Sequence, residues 1–99
     1  MELGRVVGTV VSTAKVEKLT GQKLLLINLV NPDVKPTSSY VVAVDGVGAG
    51  RDEIVIVVRG SSARQAEGMQ SVPTDASIIA IVDSLELQGK MVYQKSGGN

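Results

Sequence analysis

The sequence predicts an all-β protein: a small OB-like barrel, closed or partly open, of five to six strands with one short helix. Three observations lead there. Runs rich in Val, Ile, Leu and Thr recur along the 99 residues, each bounded by Gly, Pro, Asn or Asp. That is the pattern of short strands joined by tight turns. A single segment, 61–67, departs from it with a helix-type sequence. Consecutive strands with short connections favour a barrel or sandwich over a doubly wound α/β sheet. A flat sandwich is the alternative architecture.

The elements follow in order. Leu3 to Thr13 reads as a long first strand, with Gly4 and Gly8 marking bulges or bends. Val16 to Gly21 is a polar turn, and Lys23 to Val30 is the second strand. Asn31-Pro32-Asp33 opens a loop that runs through Lys35-Pro36-Thr37. Tyr40 to Asp45 is the third strand, Gly46 to Gly50 a glycine-rich turn, and Glu53 to Arg59 the fourth strand. Ser61 to Glu67 is the helix: Ser62 caps it, Gln65 completes a capping box, and Gly68 stops it. Pro73 ends the connection. Ser77 to Leu87 is the longest strand, Gln88-Gly89 a turn, and Lys90 to Gln94 a short last strand. The expected organisation is one barrel domain over 1–95 and a flexible tail over 96–99.

Composition narrows the function. Ten Lys and Arg balance ten Asp and Glu, which argues against nucleic acid, since phosphate binding wants a basic stripe. Two tyrosines, Tyr40 and Tyr93, make no base-stacking platform. With neither Cys nor His, disulfides, thiol catalysis, the commonest metal ligands and the commonest general base are missing. No cofactor is expected. Glu2 and Arg5 interrupt any leader-like apolar run. No stretch approaches the roughly 20 apolar residues of a membrane span. The expected address is the cytoplasm, with no membrane partner.

Motifs with catalytic associations do not hold together. Gly46-Val47-Gly48-Ala49-Gly50 looks like a phosphate loop, but a strand follows it where a helix N-terminus is needed. A turn requiring positive φ, or close approach of backbones from several subunits, explains it better. Ser12-Thr13-Ala14-Lys15 has the Ser-x-x-Lys spacing of acyl enzymes but sits at a strand end without partner motifs. Asp52 and Glu53 are adjacent, so on a strand they would face opposite sides and not each other. Asp33, Asp45, Asp52, Asp75 and Asp83 lack calcium-loop spacing. The chain is expected not to be an enzyme.

Leu24-Leu25-Leu26-Ile27, Ile54-Val55-Ile56-Val57-Val58 and Ile78-Ile79-Ala80-Ile81-Val82 are apolar on both strand faces. A lone antiparallel barrel should alternate, and one two-turn helix cannot cover three such strands. Their second face is expected against another chain.

Several stretches together resemble the EutN/CcmL family of bacterial microcompartment vertex proteins. They are Gly4-Arg5-Val6-Val7-Gly8-Thr9-Val10-Val11-Ser12-Thr13, Gly21-Gln22-Lys23-Leu24-Leu25-Leu26, Ala43 through Glu53, Gly60-Ser61-Ser62-Ala63-Arg64-Gln65, Pro73-Thr74-Asp75-Ala76 and Ile79-Ala80-Ile81-Val82-Asp83. The likeness runs from about Leu3 to Tyr93. Asp52 stands where many members have Gly, and Gly46 where Asn or Ser is common. The resemblance implies a structural protein, a homo-pentamer at shell corners whose partners are hexameric facet proteins. It also places Gly48, Ala49 and Gly50 in a small-residue turn near the five-fold axis or subunit contact. Asp45 and Glu53 flank that turn, to pair with Arg51 or Arg64 of a neighbour, and Ser61, Ser62 and Arg64 reach the adjacent subunit. The other reading kept open is an OB-fold module binding single-stranded nucleic acid or oligosaccharide.

Overall fold

The computed structural model describes residues 1–13, 22–60 and 76–95. Seven strands lie in these segments: β1 (Glu2–Val10), β2 (Leu24–Val30), β3 (Pro36–Asp45), β4 (Ile54–Arg59), β5 (Ala76–Ile81), β6 (Ser84–Leu87) and β7 (Lys90–Gln94). Five of them close a barrel in the order β1-β2-β3-β5-β4, and β6 and β7 form a separate hairpin. The expected turn over 16–21, the helix over 61–67 with its Gly68 stop, Pro73 and the tail over 96–99 lie outside the described residues.

Every barrel pairing is antiparallel except β3 with β5, a short parallel contact of Val44 with Ser77 and Asp45 with Ile78. β1 bonds to β2 on one side and β4 on the other, so closure removes open edges.

Alternation builds the core. On β2, Leu25, Ile27 and Leu29 point inward with Val6, Ala43, Val55, Val57, Ala76 and Ile78. Leu24, Leu26 and Asn28 take the other face. Within β1 the register shifts between Val6 and Gly8: a bulge, which bends the strand as a small barrel requires.

β4 departs from alternation. Ile54, Val55, Val57 and Val58 are all buried within the chain. The uninterrupted apolar run therefore does not leave a bare second face, contrary to expectation for this strand. Among the described residues, part of the surface left apolar lies on β1–β3. Val42 aligns with Leu26 and Gly8, one row from Tyr40, and Val7, Tyr40 and Val42 are exposed.

Three boundaries differ from the sequence reading by more than one residue. β1 ends at Val10 and not at Thr13. β3 starts at Pro36, four residues before Tyr40, because Pro36 pairs with Val30 beyond a bulge. Pro suits the first position of a strand, where no ladder donor is needed. The expected strand 77–87 is two strands. Val82 still donates to Ile54 O at 2.8 Å, but Ser84 pairs with Gln94 of the hairpin.

Candidate functional site: the Asp45–Glu53 turn and its hairpin

β3 delivers Asp45 to the end of the barrel, and its carboxylate then folds the following turn. Oδ1 accepts the amides of Val47 at 3.0 Å and Gly48 at 3.1 Å, and Oδ2 accepts that of Ala49 at 2.9 Å. Three successive N–H groups converge on one buried acid. Lys23, the residue just before β2, supplies the counter-charge at 3.6 Å and also donates to Ala49 O at 3.2 Å. Ala49 is buried and Gly48 has φ +81°, a conformation that glycine adopts without steric cost.

The second half of the turn is held by Glu53. Oε1 accepts the Gly50 amide, while Oε2 lies 3.1 Å from Lys95 Nζ. The Gly50 bond first, and Lys95 second, hold this carboxyl below the usual glutamate range. Lys95 is raised in turn, chiefly by the same bond to Glu53. Asp52 sits at φ +71°, a left-handed position that Asp tolerates better than most residues. Its amide donates to Val6 O at 2.8 Å, and Val6 N–H donates to Glu53 O at 3.0 Å. These two bonds tie the turn to β1.

The hairpin closes one side of the site. Tyr93 Oη accepts the Ile54 amide at 3.4 Å, and Arg5 lies 6.0 Å above the Tyr93 ring while donating to Asp52 O at 2.8 Å. Gly48, Gly50, Arg51, Asp52, Glu53, Tyr93 and Lys95 line an open recess of about 350 Å³.

The structure thus brings Asp45, Gly48, Ala49, Gly50, Arg51 and Glu53 together at one end of the barrel. Ser61, Ser62 and Arg64 lie outside the described residues. Both flanking carboxylates are engaged inside their own chain, by backbone amides and by Lys23 or Lys95, and Arg51 is exposed. Four residues that sequence reasoning left out, Arg5, Lys23, Tyr93 and Lys95, complete the site. Only Asp45 carried a local signal, since Asp followed by glycines favours a side-chain-to-backbone turn. The other contacts cross from distant strands. Among the described residues, no cluster of acidic side chains could hold a metal ion. The turn is built to hold a backbone shape and to present small residues and Arg51 at its surface.

Comparison with known proteins gives this shape a context. Residues 1–83 match the family described as ethanolamine utilisation protein EutN/carboxysome. The chain is 45% identical to the carboxysome shell vertex protein CcmL of Gloeobacter violaceus, over 96% of this chain and 95% of that one. It is 51% identical to the microcompartment shell vertex protein GrpN of Rhodospirillum rubrum, over 87% of this chain and 97% of that one. The solved structure of Gloeobacter violaceus CcmL superposes with a TM-score of 0.90, covering 96% of this chain and 98% of that chain. That of GrpN, described as a pentameric microcompartment shell protein, superposes with a TM-score of 0.79 at 52% identity, covering 88% and 99%. The chain belongs to the EutN/CcmL family.

Proposed function

We propose that this chain is a structural shell protein that forms cyclic homo-pentamers at the vertices of a bacterial microcompartment in the cytoplasm. Near-full-length likeness to proteins named as shell vertex proteins, one of them solved as a pentamer, carries the reading. The physics of closure explains the role. A flat layer of six-fold units has no curvature, and five-fold units inserted into it force it to close. The partners are then further copies of this chain and hexameric facet proteins. Such work asks for a rigid wedge and no reacting group.

Two features of the chain support this assignment. The exposed Val7, Tyr40 and Val42 on the outer face of β1–β3 offer apolar surface to a neighbour. The turn from Asp45 to Glu53 offers small residues that permit close backbone approach. A cyclic ring uses two different patches per subunit, one meeting the other on the next copy. We assign the turn residues Gly48, Gly50 and Arg51 to that contact, with Asp45, Glu53 and the buried Ala49 shaping it from within. Ser61, Ser62 and Arg64 follow as further contact residues.

Native mass spectrometry at near-physiological salt tests the assembly. A species of five copies of the 10.3 kDa chain is the expected result, and a stable monomer overturns the reading. Replacing both Gly48 and Gly50 with Val tests the turn. Gly48 has positive φ, and a Cβ on Gly50 would lie 3.4 Å from Glu53 Oε1. The double variant is expected to lose the ring, and an unchanged oligomer removes the turn from the contact.

A further inference from the structure

The β6–β7 hairpin lies outside the barrel. None of its side chains is fully buried in the chain. A two-stranded hairpin is marginal in water by itself, so its attachments decide whether it is ordered. They converge on one place. Lys95 reaches Glu53, Tyr93 Oη meets the Ile54 amide, and Arg5 bridges the Tyr93 ring and Asp52 O. The Lys95 amide also donates to Asp83 O at 2.8 Å, fastening the hairpin's end to its beginning.

Glu53 is the joint. One carboxylate oxygen holds the Gly50 amide of the turn and the other faces the hairpin's Lys95. Withdrawing Lys95 removes the charge that orients the carboxylate, and disturbing the turn removes the amide that does the same. The turn and the hairpin also share the walls of one recess.

We propose that the β6–β7 hairpin clamps the turn through Glu53, so that a second copy of this chain meeting the turn is felt at the hairpin. The second half rests on the pentamer reading. Coupling between two sites is reciprocal by thermodynamic necessity. Loosening the hairpin must loosen the turn, and ordering the turn must order the hairpin.

Amide hydrogen exchange on the full chain reads both directions. In Lys95→Met, the Gly50 amide is expected to exchange about two- to fivefold faster, the range of a partly exposed ion pair, while the core amide of Ile27 is unchanged. In Gly48→Ala, the Lys95 amide is expected to exchange faster by a similar factor with Ile27 again unchanged. Gly50 exchange unaltered in Lys95→Met overturns the clamp. In the wild-type chain, raising concentration until rings form is expected to slow Lys95 exchange. Ring formation with no such slowing overturns the link to the subunit contact. A chain that stays monomeric at all concentrations overturns the pentamer reading and that link together. The clamp itself is still decided by the two variants.

Discussion

At the residue scale, single atoms decide more than residue class does. Gly4 and Gly8 look alike as glycines in a Val-rich strand, yet their surroundings differ. A Cβ on Gly4 would collide with Ile27 Cγ2 and sit 3.3 Å from Asn28 O, whereas on Gly8 nothing lies closer than 3.8 Å. Gly4→Ala is expected to destabilise by about 1–3 kcal/mol through overpacking, and Gly8→Ala to change stability far less. Urea midpoints at one protein concentration check both. Val34 makes the opposite case. It holds φ +59° inside a tight loop where its amide donates to Asn31 O at 2.8 Å and Lys35 N donates to Asp33 Oδ1 at 3.2 Å. A β-branched residue is costly there, by about 1–2 kcal/mol. Val34→Gly is expected to recover part of this as a raised melting temperature, less the extra chain entropy that glycine brings to the unfolded state.

At the element scale, strands were legible wherever apolar runs met turn residues. The core-facing set Leu25, Ile27 and Leu29 follows from period-two alternation alone. Boundaries set by side chains reaching backbone were not. β3 begins early because buried Asn28 donates through Nδ2 to Thr37 O at 2.9 Å and Ser39 O at 3.1 Å, and Thr37 Oγ1 donates to Leu29 O at 2.6 Å. These bonds take over where the β2–β3 ladder shifts register, and no periodicity announces them. The division between β5 and β6 was equally hidden, since Ile78 to Leu87 has no glycine or proline to mark it. The signal that did exist is the change from Ile-Ile-Ala-Ile to the alternating Ser-Leu-Glu-Leu, from two-sided to one-sided burial. The hairpin turn itself has positive φ at both Gln88 (52°) and Gly89 (83°), the pattern of a type I′ turn. Gln88→Asn suits that turn better and is expected to stabilise by about 0.5 kcal/mol. A thermal shift of one to a few degrees would register it.

At the scale of the whole molecule, charges fasten the ends of the barrel. Arg59 grips Glu2 with two bonds, of 2.6 and 2.9 Å, joining β4 to the first residue of β1. That bond to Arg59 holds Glu2 below the usual glutamate range, as the Gly50 amide and Lys95 do for Glu53. Both carboxyls bind protons less readily folded than unfolded. Their contribution is complete above the unfolded value of about 4.3. It fades as pH falls through the lowered folded values. With no His in the chain, stability should be level from about pH 6 to 8. It should then fall in acid, and Glu2→Gln or Glu53→Gln should each flatten the fall. Melting temperatures between pH 3 and 8 would follow it. The family and the barrel were legible from sequence because both live in local runs. The site was legible only as its turn, since Arg5, Lys23 and the pair Tyr93 and Lys95 reach it from three separate places along the chain.

The barrel's seams also set an order in time. β1 takes its second neighbour only from β4, through Glu2 with Val57 and Gly4 with Val55, and β3 takes its own only from β5. A chain emerging from the ribosome therefore carries the β1–β2–β3 sheet with two raw edges until the later strands arrive. Pairings between distant segments form slowly, and an unpaired edge is a template for another chain's strand. For a protein whose neighbours are its own copies, the hazard is premature partnership along those edges. Yield of correctly closed subunits should therefore depend on how crowded the nascent chains are, as well as on how stable the finished barrel is.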